Sequence, residues 1–125
     1  MKILLVDDSK TMRNIWKKVV SSLENADPME AEDGVQGLKV FEENGPFGLV
    51  LLDWNMPNMD GLGLLKKIRE TNKTTPIIMV TTEAEKPRII EAIKAGANNY
   101  VVKPFTPDAL IGKIQETLEK ATQTA

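Results

Sequence analysis

Short apolar runs alternate with segments of helical periodicity five times along the chain, and this alternation limits the fold more than any other feature. The clear runs are apolar throughout rather than at every second residue, as in strands that helices cover on both faces. The second run is poor, and its Pro28 fits only the edge or the first residue of a strand. Strands are predicted over residues 3–6, 28–32, 49–52, 76–80 and 100–102.

The segments between the runs carry apolar residues at helical spacing. Ser9 and Asp33 are good N-caps, and Pro87 suits the first turn of a helix. The first helix has an apolar stripe, in which we expect Trp16 to serve as packing; the stripe comprises Met12, Ile15, Trp16, Val19, Val20 and Leu23. Helices are predicted from 9 or 10 to 23, over 34–44, 61–70 and 87–96, and from 106 or 107 through 118, with frayed residues at 122–125.

Five successive β/α units predict an α/β fold, in which a doubly wound five-stranded parallel sheet lies between two layers of helices. Crossovers in such sheets are almost always right-handed. The 125 residues suit one domain, and we expect residues 1–125 to form it.

Composition excludes several functions. The chain has no cysteine and no histidine, so neither disulfides, thiolates nor imidazole chemistry can operate on it. The net charge of -2 argues against a nucleic-acid partner. No apolar run approaches the roughly 20 residues of a membrane span, and the opening MKILLVDD meets charge too early for a signal peptide. We therefore expect a cytoplasmic protein without membrane insertion.

Polar side chains follow four of the predicted strands where each strand ends: Asp7 and Asp8, Asp53, Thr81, and Lys103. Because the carboxyl ends of parallel strands share one edge of the sheet, these side chains should converge there. A single strand-end aspartate is usually a turn former or a helix cap. The whole set at one edge is hard to explain in that way.

Such a cluster restricts the chemistry. Carboxylates about 4 Å apart repel by roughly 4 kcal/mol per pair at an effective dielectric constant near 20. They must take up protons or bind a cation, and hard oxygen ligands with room for water favour Mg²⁺. One carboxylate could then attack a phosphoryl group, while Lys103 and Thr81 stabilise the transferring oxygens.

Four segments resemble the response-regulator receiver domains of two-component signalling: LLVDDS, LDWNMPNMDG, MVTTEAE and AGANNYVVKPFT. The resemblance covers essentially the whole chain, and WNMPNMDG and NYVVKPFT are most similar to the chemotaxis members of the family. It implies a flavodoxin-like receiver fold with strand order 2-1-3-4-5 and a cis peptide at Lys103-Pro104.

The resemblance also implies roles for residues. Asp53 would be the phosphoacceptor, and Asp7, Asp8, Asp53 and the backbone carbonyl of Asn55 would hold Mg²⁺. Thr81 and Lys103 would bind the phosphoryl group, gaining a partner that they otherwise lack.

Signalling roles follow from the same resemblance. Tyr100 would be an aromatic switch that turns inward when Thr81 moves towards the phosphate. The side chains of Asn55 and Glu83 would tune the rate of dephosphorylation. The readout face would comprise the fourth helix, the fifth strand and the fifth helix, including Tyr100, Val102 and Lys113.

By the same resemblance, the donor would be a phosphohistidine on a partner histidine kinase, which fits a chain without histidine. The chain would act as a monomeric signalling switch, an enzyme only towards its own phosphorylation and dephosphorylation. It would bind the flagellar motor switch protein, with a phosphatase as a further partner.

The same residues raise three alternative functions. One is a phosphorelay intermediate that passes its phosphate to another histidine protein. Another is a phosphatase of the haloacid-dehalogenase type, which the adjacent Asp7 and Asp8, followed by Ser9 and Lys10, argue against. A DNA-binding regulator is not expected, because no effector domain follows residue 122.

Overall fold

The computed structural model describes residues 1–123, with side chains through residue 121. Five strands and five helices alternate along the chain, as the sequence predicts. Their bounds are β1 Lys2–Val6, α1 Lys10–Val20, β2 Asp27–Ala31, α2 Gly34–Asn44, β3 Leu49–Leu52, α3 Gly61–Thr71, β4 Ile77–Thr81, α4 Lys86–Ala95, β5 Asn99–Val102 and α5 Pro107–Gln123.

The strands form one parallel sheet in the order β2-β1-β3-β4-β5, which confirms the predicted topology. The doubtful strand exists, but it runs from Asp27 to Ala31. Pro28 is its second residue and pairs with Ile3. Because β2 is an edge strand, the missing N–H of this proline leaves no gap inside the sheet.

Each face of the sheet has its own apolar core, because successive side chains of a strand point to opposite faces. Ile3 and Leu5 of β1 pack with Trp16 of α1 and Leu110 of α5. Leu4 and Val6 lie in the opposite cluster, which also contains the buried residues of α3 and Ala92 of α4. β3 is buried along its whole length, so the sheet holds Asp53 at a rigid edge.

The helix patterns hold with local exceptions. Ser9 caps α1 by accepting a hydrogen bond from the Met12 amide, but the helix ends at Val20, and Ile15 is 39% exposed. The predicted fraying of residues 122–125 stays a prediction: α5 continues to Gln123, and residues 124 and 125 lie outside the described part. None of the helices within residues 1–123 is both long and apolar enough to cross a membrane.

The two ends of α4 are held differently. Its N-cap, Glu85, makes no side-chain capping hydrogen bond. At the other end, Gly96 has φ of 116°, and its carbonyl accepts hydrogen bonds from Arg69 Nε at 3.0 Å and Nη2 at 2.9 Å. Ala92 is the buried residue of α4, while Ile90 and Ile93 are exposed.

Candidate functional site

Three carboxylates meet at the carboxyl edge of the sheet. Asp7 and Asp8 follow β1, Asp53 follows β3, and one ligand oxygen from each lies within 4.8 Å of the others. Asp7 and Asp53 are buried, whereas Asp8 is exposed and opens the cluster to solvent. The predicted convergence of the strand ends is confirmed for these residues.

Lys103, after β5, completes the charge pattern. Its Nζ lies 2.9 Å from Asp7 Oδ2 and 3.6 Å from Asp53 Oδ2, and its side chain is 12% exposed. The Lys103 ammonium therefore pairs with Asp7 in the unmodified site, and its binding to a phosphoryl group stays a prediction. The Lys103-Pro104 peptide is cis, as the resemblance implied, and Gly45-Pro46 is a second cis peptide that was not predicted.

Asp53 lies in a restrictive environment. Its Oδ1 accepts a hydrogen bond from the Trp54 amide at 2.8 Å, and its own amide donates to the Val6 carbonyl at 3.0 Å. Burial raises the pKa of the Asp53 carboxyl; Lys103 opposes this shift and the neighbouring Asp7 adds to it. The charged form of Asp53 is thus disfavoured until a further cation arrives.

An Asp53→Asn variant should be more stable than the wild type near neutral pH in metal-free buffer. Because the folded-state pKa of Asp53 is raised above 3.8, the wild type loses stability as pH rises from that value through the raised pKa. The gain should disappear below pH 3.8. Urea unfolding with EDTA across this range would measure it, and an equal gain at all pH values would contradict the charge argument.

The donor set suits a hard divalent cation. The three clustered side chains offer carboxylate oxygens, which Mg²⁺ prefers, and the exposed Asp8 leaves room for water. The residues present therefore fit the metal that the resemblance implies. Arg13, which was not predicted from the sequence, binds next to the cluster. Its Nη1 donates to the Asp7 carbonyl at 2.6 Å, and its Nε donates to Glu30 Oε1 at 2.9 Å.

The two predicted tuning residues contact each other. Asn55 Nδ2 donates to Glu83 Oε1 at 3.2 Å, which joins the loop after β3 to the loop after β4. Thr81 is fully buried at the end of β4, and its hydroxyl accepts a hydrogen bond from the Glu83 amide at 3.3 Å. Because the Thr81 hydroxyl only accepts in this bond, its own proton remains available for donation.

Tyr100 lies under the same loop. Its hydroxyl donates to the Glu83 carbonyl at 2.6 Å, and burial, followed by the nearby Glu83 charge, raises its pKa to about 12. Tyr100 is therefore a neutral donor at physiological pH. Two other residues of the predicted readout face are solvent-accessible: Val102 is 37% exposed, and Lys113 pairs with Glu116 at 3.7 Å on α5.

The loop after Asp53 makes close backbone contacts with the start of α3. The Gly61 amide donates to the Trp54 carbonyl at 2.8 Å, and a Cβ at Gly61 would lie 1.9 Å from the Asp53 carbonyl oxygen. Asp60 caps α3 through the Gly63 amide at 2.7 Å. An Asp-Gly pair before an apolar helical stripe predicts a capped helix start. It does not predict how closely Gly61 approaches the backbone of Asp53.

A family model described as the response regulator receiver domain matches residues 3–115. The chain belongs to this family. This receiver domain is 50% identical over 120 residues to the chemotaxis protein CheY1 of Helicobacter pylori strain J99, with coverage of 94% of the chain and 97% of the relative. It is 49% identical to a CheY homolog of Campylobacter jejuni serotype O:23/36, covering 94% and 92%.

Solved structures agree with the fold. A CheY-like receiver domain protein of Methanospirillum hungatei JF-1 has a TM-score of 0.90 and 31% identity, covering 99% of this chain and 98% of the other. CheY4 of Vibrio cholerae has a TM-score of 0.83 and 33% identity, covering 93% and 97%.

Membership makes this chain the receiver of a response regulator, a signalling domain rather than a member of a classical enzyme family. A receiver of this kind implies a histidine kinase as phosphodonor and a downstream target. The clustered acidic residues could bind a metal.

Proposed function

We propose that this receiver is a chemotaxis switch that accepts a phosphoryl group on Asp53 from a histidine kinase and then binds the flagellar motor switch protein. One observation carries the proposal: Asp53 lies at the edge of the sheet with two further carboxylates within 4.8 Å and the Lys103 ammonium at 3.6 Å. Residues 1–125 would act as one monomeric, cytoplasmic receiver domain, which a phosphatase could reset.

Asp53 is the nucleophile in this scheme. One of its carboxylate oxygens attacks the phosphorus of phosphohistidine, so that an O–P bond forms and the P–N bond breaks. The imidazole nitrogen leaves with the bonding electrons and takes a proton from solvent. Since both reactants are anionic, the step needs cationic groups where charge accumulates.

Lys103 supplies part of that charge because its Nζ lies beside both Asp7 and Asp53. The Thr81 hydroxyl can donate its proton to a phosphoryl oxygen, because it only accepts in its hydrogen bond with the Glu83 amide. Asp7, Asp8, Asp53 and the Asn55 carbonyl would hold Mg²⁺, which when bound neutralises negative charge on the carboxylates and the phosphoryl group.

Hydrolysis of the aspartyl phosphate returns the receiver to its unmodified state. A water attacks the phosphorus and the O–P bond of the aspartyl phosphate breaks, which returns the Asp53 carboxylate and inorganic phosphate. The exposed Asn55–Glu83 hydrogen bond joins the loops that follow β3 and β4, next to Asp53 and Thr81 in the chain. These two side chains would therefore control how easily water reaches the phosphorus.

Phosphorylation becomes a signal through the loop after β4. The new group carries about 1.5 to 2 negative charges near pH 7. Lys103 then shifts from Asp7 towards the phosphoryl oxygens, while the Thr81 hydroxyl, which accepts from the Glu83 amide, can donate its own proton to one of them. Because Glu83 also holds the Tyr100 hydroxyl, movement of this loop alters the face formed by Tyr100, Val102 and Lys113.

Acetyl phosphate as donor should label the wild type with one phosphoryl group per chain in the presence of Mg²⁺. Labelling should vanish in Asp53→Asn and also in EDTA, because the nucleophile or the neutralising cation is then missing. Intact-protein mass spectrometry measures the added mass. The matched control is Asp108→Asn, which removes an exposed aspartate of α5 and should label like the wild type. Labelling of Asp53→Asn would disprove the assigned nucleophile.

Binding to a motor switch peptide should strengthen when beryllofluoride and Mg²⁺ mimic the phosphoryl group. Lys113→Glu should weaken that binding, since it reverses a charge on the readout face, whereas Lys39→Glu, on an exposed position of α2, should not. Fluorescence anisotropy of a labelled peptide gives both affinities. If the mimic fails to promote binding, the phosphorelay alternative is favoured over the motor switch.

A further inference from the structure

Trp16 occupies an unusual position for a packing residue. It lies on α1 and is completely buried in the apolar core on that face of the sheet. Its indole Nε1 is buried, yet it has no hydrogen-bond partner among the residues that the structure describes. A buried N–H without a partner destabilises the fold, and phenylalanine would fill an apolar site without this penalty. Packing alone does not account for tryptophan here.

The indole ring faces the charged end of Lys103. Nζ lies 5.5 Å from the ring centroid, within the range of a cation–π interaction. Tryptophan gives the strongest such interaction of the aromatic residues, and its strength grows when the cation is removed from water. The Lys103 side chain is only 12% exposed, so this condition is met.

We propose that Trp16 is a positioning residue for Lys103. Its indole face holds the ammonium at the carboxylate cluster, where Asp7 Oδ2 lies 2.9 Å and Asp53 Oδ2 3.6 Å from Nζ. The ring supplies attraction without a formal negative charge. It therefore does not compete with the phosphoryl group as a further carboxylate would.

The contact with Trp16 would have its largest effect when a phosphoryl group enters the site. As Lys103 leaves Asp7 for the phosphoryl oxygens, the broad indole face permits a small shift of the ammonium without loss of contact. The inference rests on the proposed function for the role of Lys103. The contact between Trp16 and Lys103 can be tested without it.

The first measurement is NMR of the wild type. Protons above an aromatic face resonate upfield, so the terminal methylene of Lys103 should lie upfield of the other lysines, and Lys103→Met should identify the signal by removing it. Trp16→Leu should abolish the upfield shift, and Trp16→Phe should retain part of it. A wild-type Lys103 signal among those of the exposed lysines would overturn the proposal, whatever the variants do.

The second measurement is the rate of labelling by acetyl phosphate with Mg²⁺. Trp16→Leu should react about threefold to tenfold more slowly, as expected for loss of one cation–π interaction. Trp16→Phe should recover most of the rate. Val20→Ala controls for a disturbed core, because it also removes buried volume from α1 in the same apolar cluster. It should label at the wild-type rate.

The outcomes separate the two claims. If Trp16→Leu labels like the wild type, or slows no more than Val20→Ala, Trp16 does not position Lys103. If the wild type is not labelled at Asp53 but the Lys103 signal is shifted upfield, the proposed function fails while the Trp16–Lys103 contact stands. Should Trp16→Leu not fold, the wild-type spectrum and the Trp16→Phe rate decide.

Discussion

Gly61→Ala is expected to lower the free energy of unfolding by about 3 kcal/mol or more, since overpacking of a core costs typically 1–3 kcal/mol and here the obstacle is backbone. The added Cβ would lie 1.9 Å from the Asp53 carbonyl oxygen and 2.9 Å from the Trp54 Cα. These atoms can yield only if the loop after β3 moves away from α3. Urea unfolding measures the loss, and labelling by acetyl phosphate should fall with it.

Gly112→Ala is the matched control, because it makes the same change inside another helix. A Cβ there meets nothing within 4 Å. Alanine is favoured over glycine in a helix interior, so this variant should gain roughly 1 kcal/mol. Equal effects of the two substitutions would show that helix propensity, rather than the contact with Asp53, governs the response at Gly61.

Lys103→Met should destabilise the metal-free protein by about 3–5 kcal/mol, the range observed when one partner of a buried ion pair is removed. Asp7 is 1% exposed and would lose the ammonium that lies 2.9 Å away. Asp53 would lose its nearest cation at the same time. The loss should be measured by urea unfolding in EDTA and should shrink when Mg²⁺ is added.

A double variant tests the cause of that loss. With Asp7→Asn also present, Lys103→Met should cost much less, because the buried carboxylate that needed the ammonium has become neutral. Lys113→Met serves as the control, since its partner Glu116 lies on an exposed helix surface and such changes stay within about 0.5 kcal/mol. Additive effects of the Asp7 and Lys103 substitutions would contradict a direct coupling.

The central part of the sheet was predictable because β1, β3 and β4 are apolar over most of their length, whereas β2 carries a weak signal. Leu49–Leu52 is buried on both faces, so a continuous run of apolar residues could only be a central strand. The strand ends then placed Asp7, Asp53 and Lys103 at one edge. The order of the strands came from the resemblance to the family, since hydropathy says nothing of which strands are neighbours.

Tertiary contacts were less predictable. Ile15 fits the apolar stripe of α1, but the stripe cannot tell a residue at its margin, which stays 39% exposed, from one at its centre. Lys103 and Asp7 are 96 positions apart in the chain, so no local sequence pattern predicts their ion pair. The cation above Trp16 was missed for the same reason, because a tryptophan in an apolar stripe has the pattern of packing alone.

The two ends of α4 are restrained unequally. Arg69 pins the Gly96 carbonyl with two hydrogen bonds, while the end at Glu85 lacks a side-chain cap and adjoins the loop that carries Glu83. We therefore expect the Glu85 end to move more than the Gly96 end when that loop moves. A spectroscopic label at Lys86 should move farther than one at Lys94 when the protein is activated.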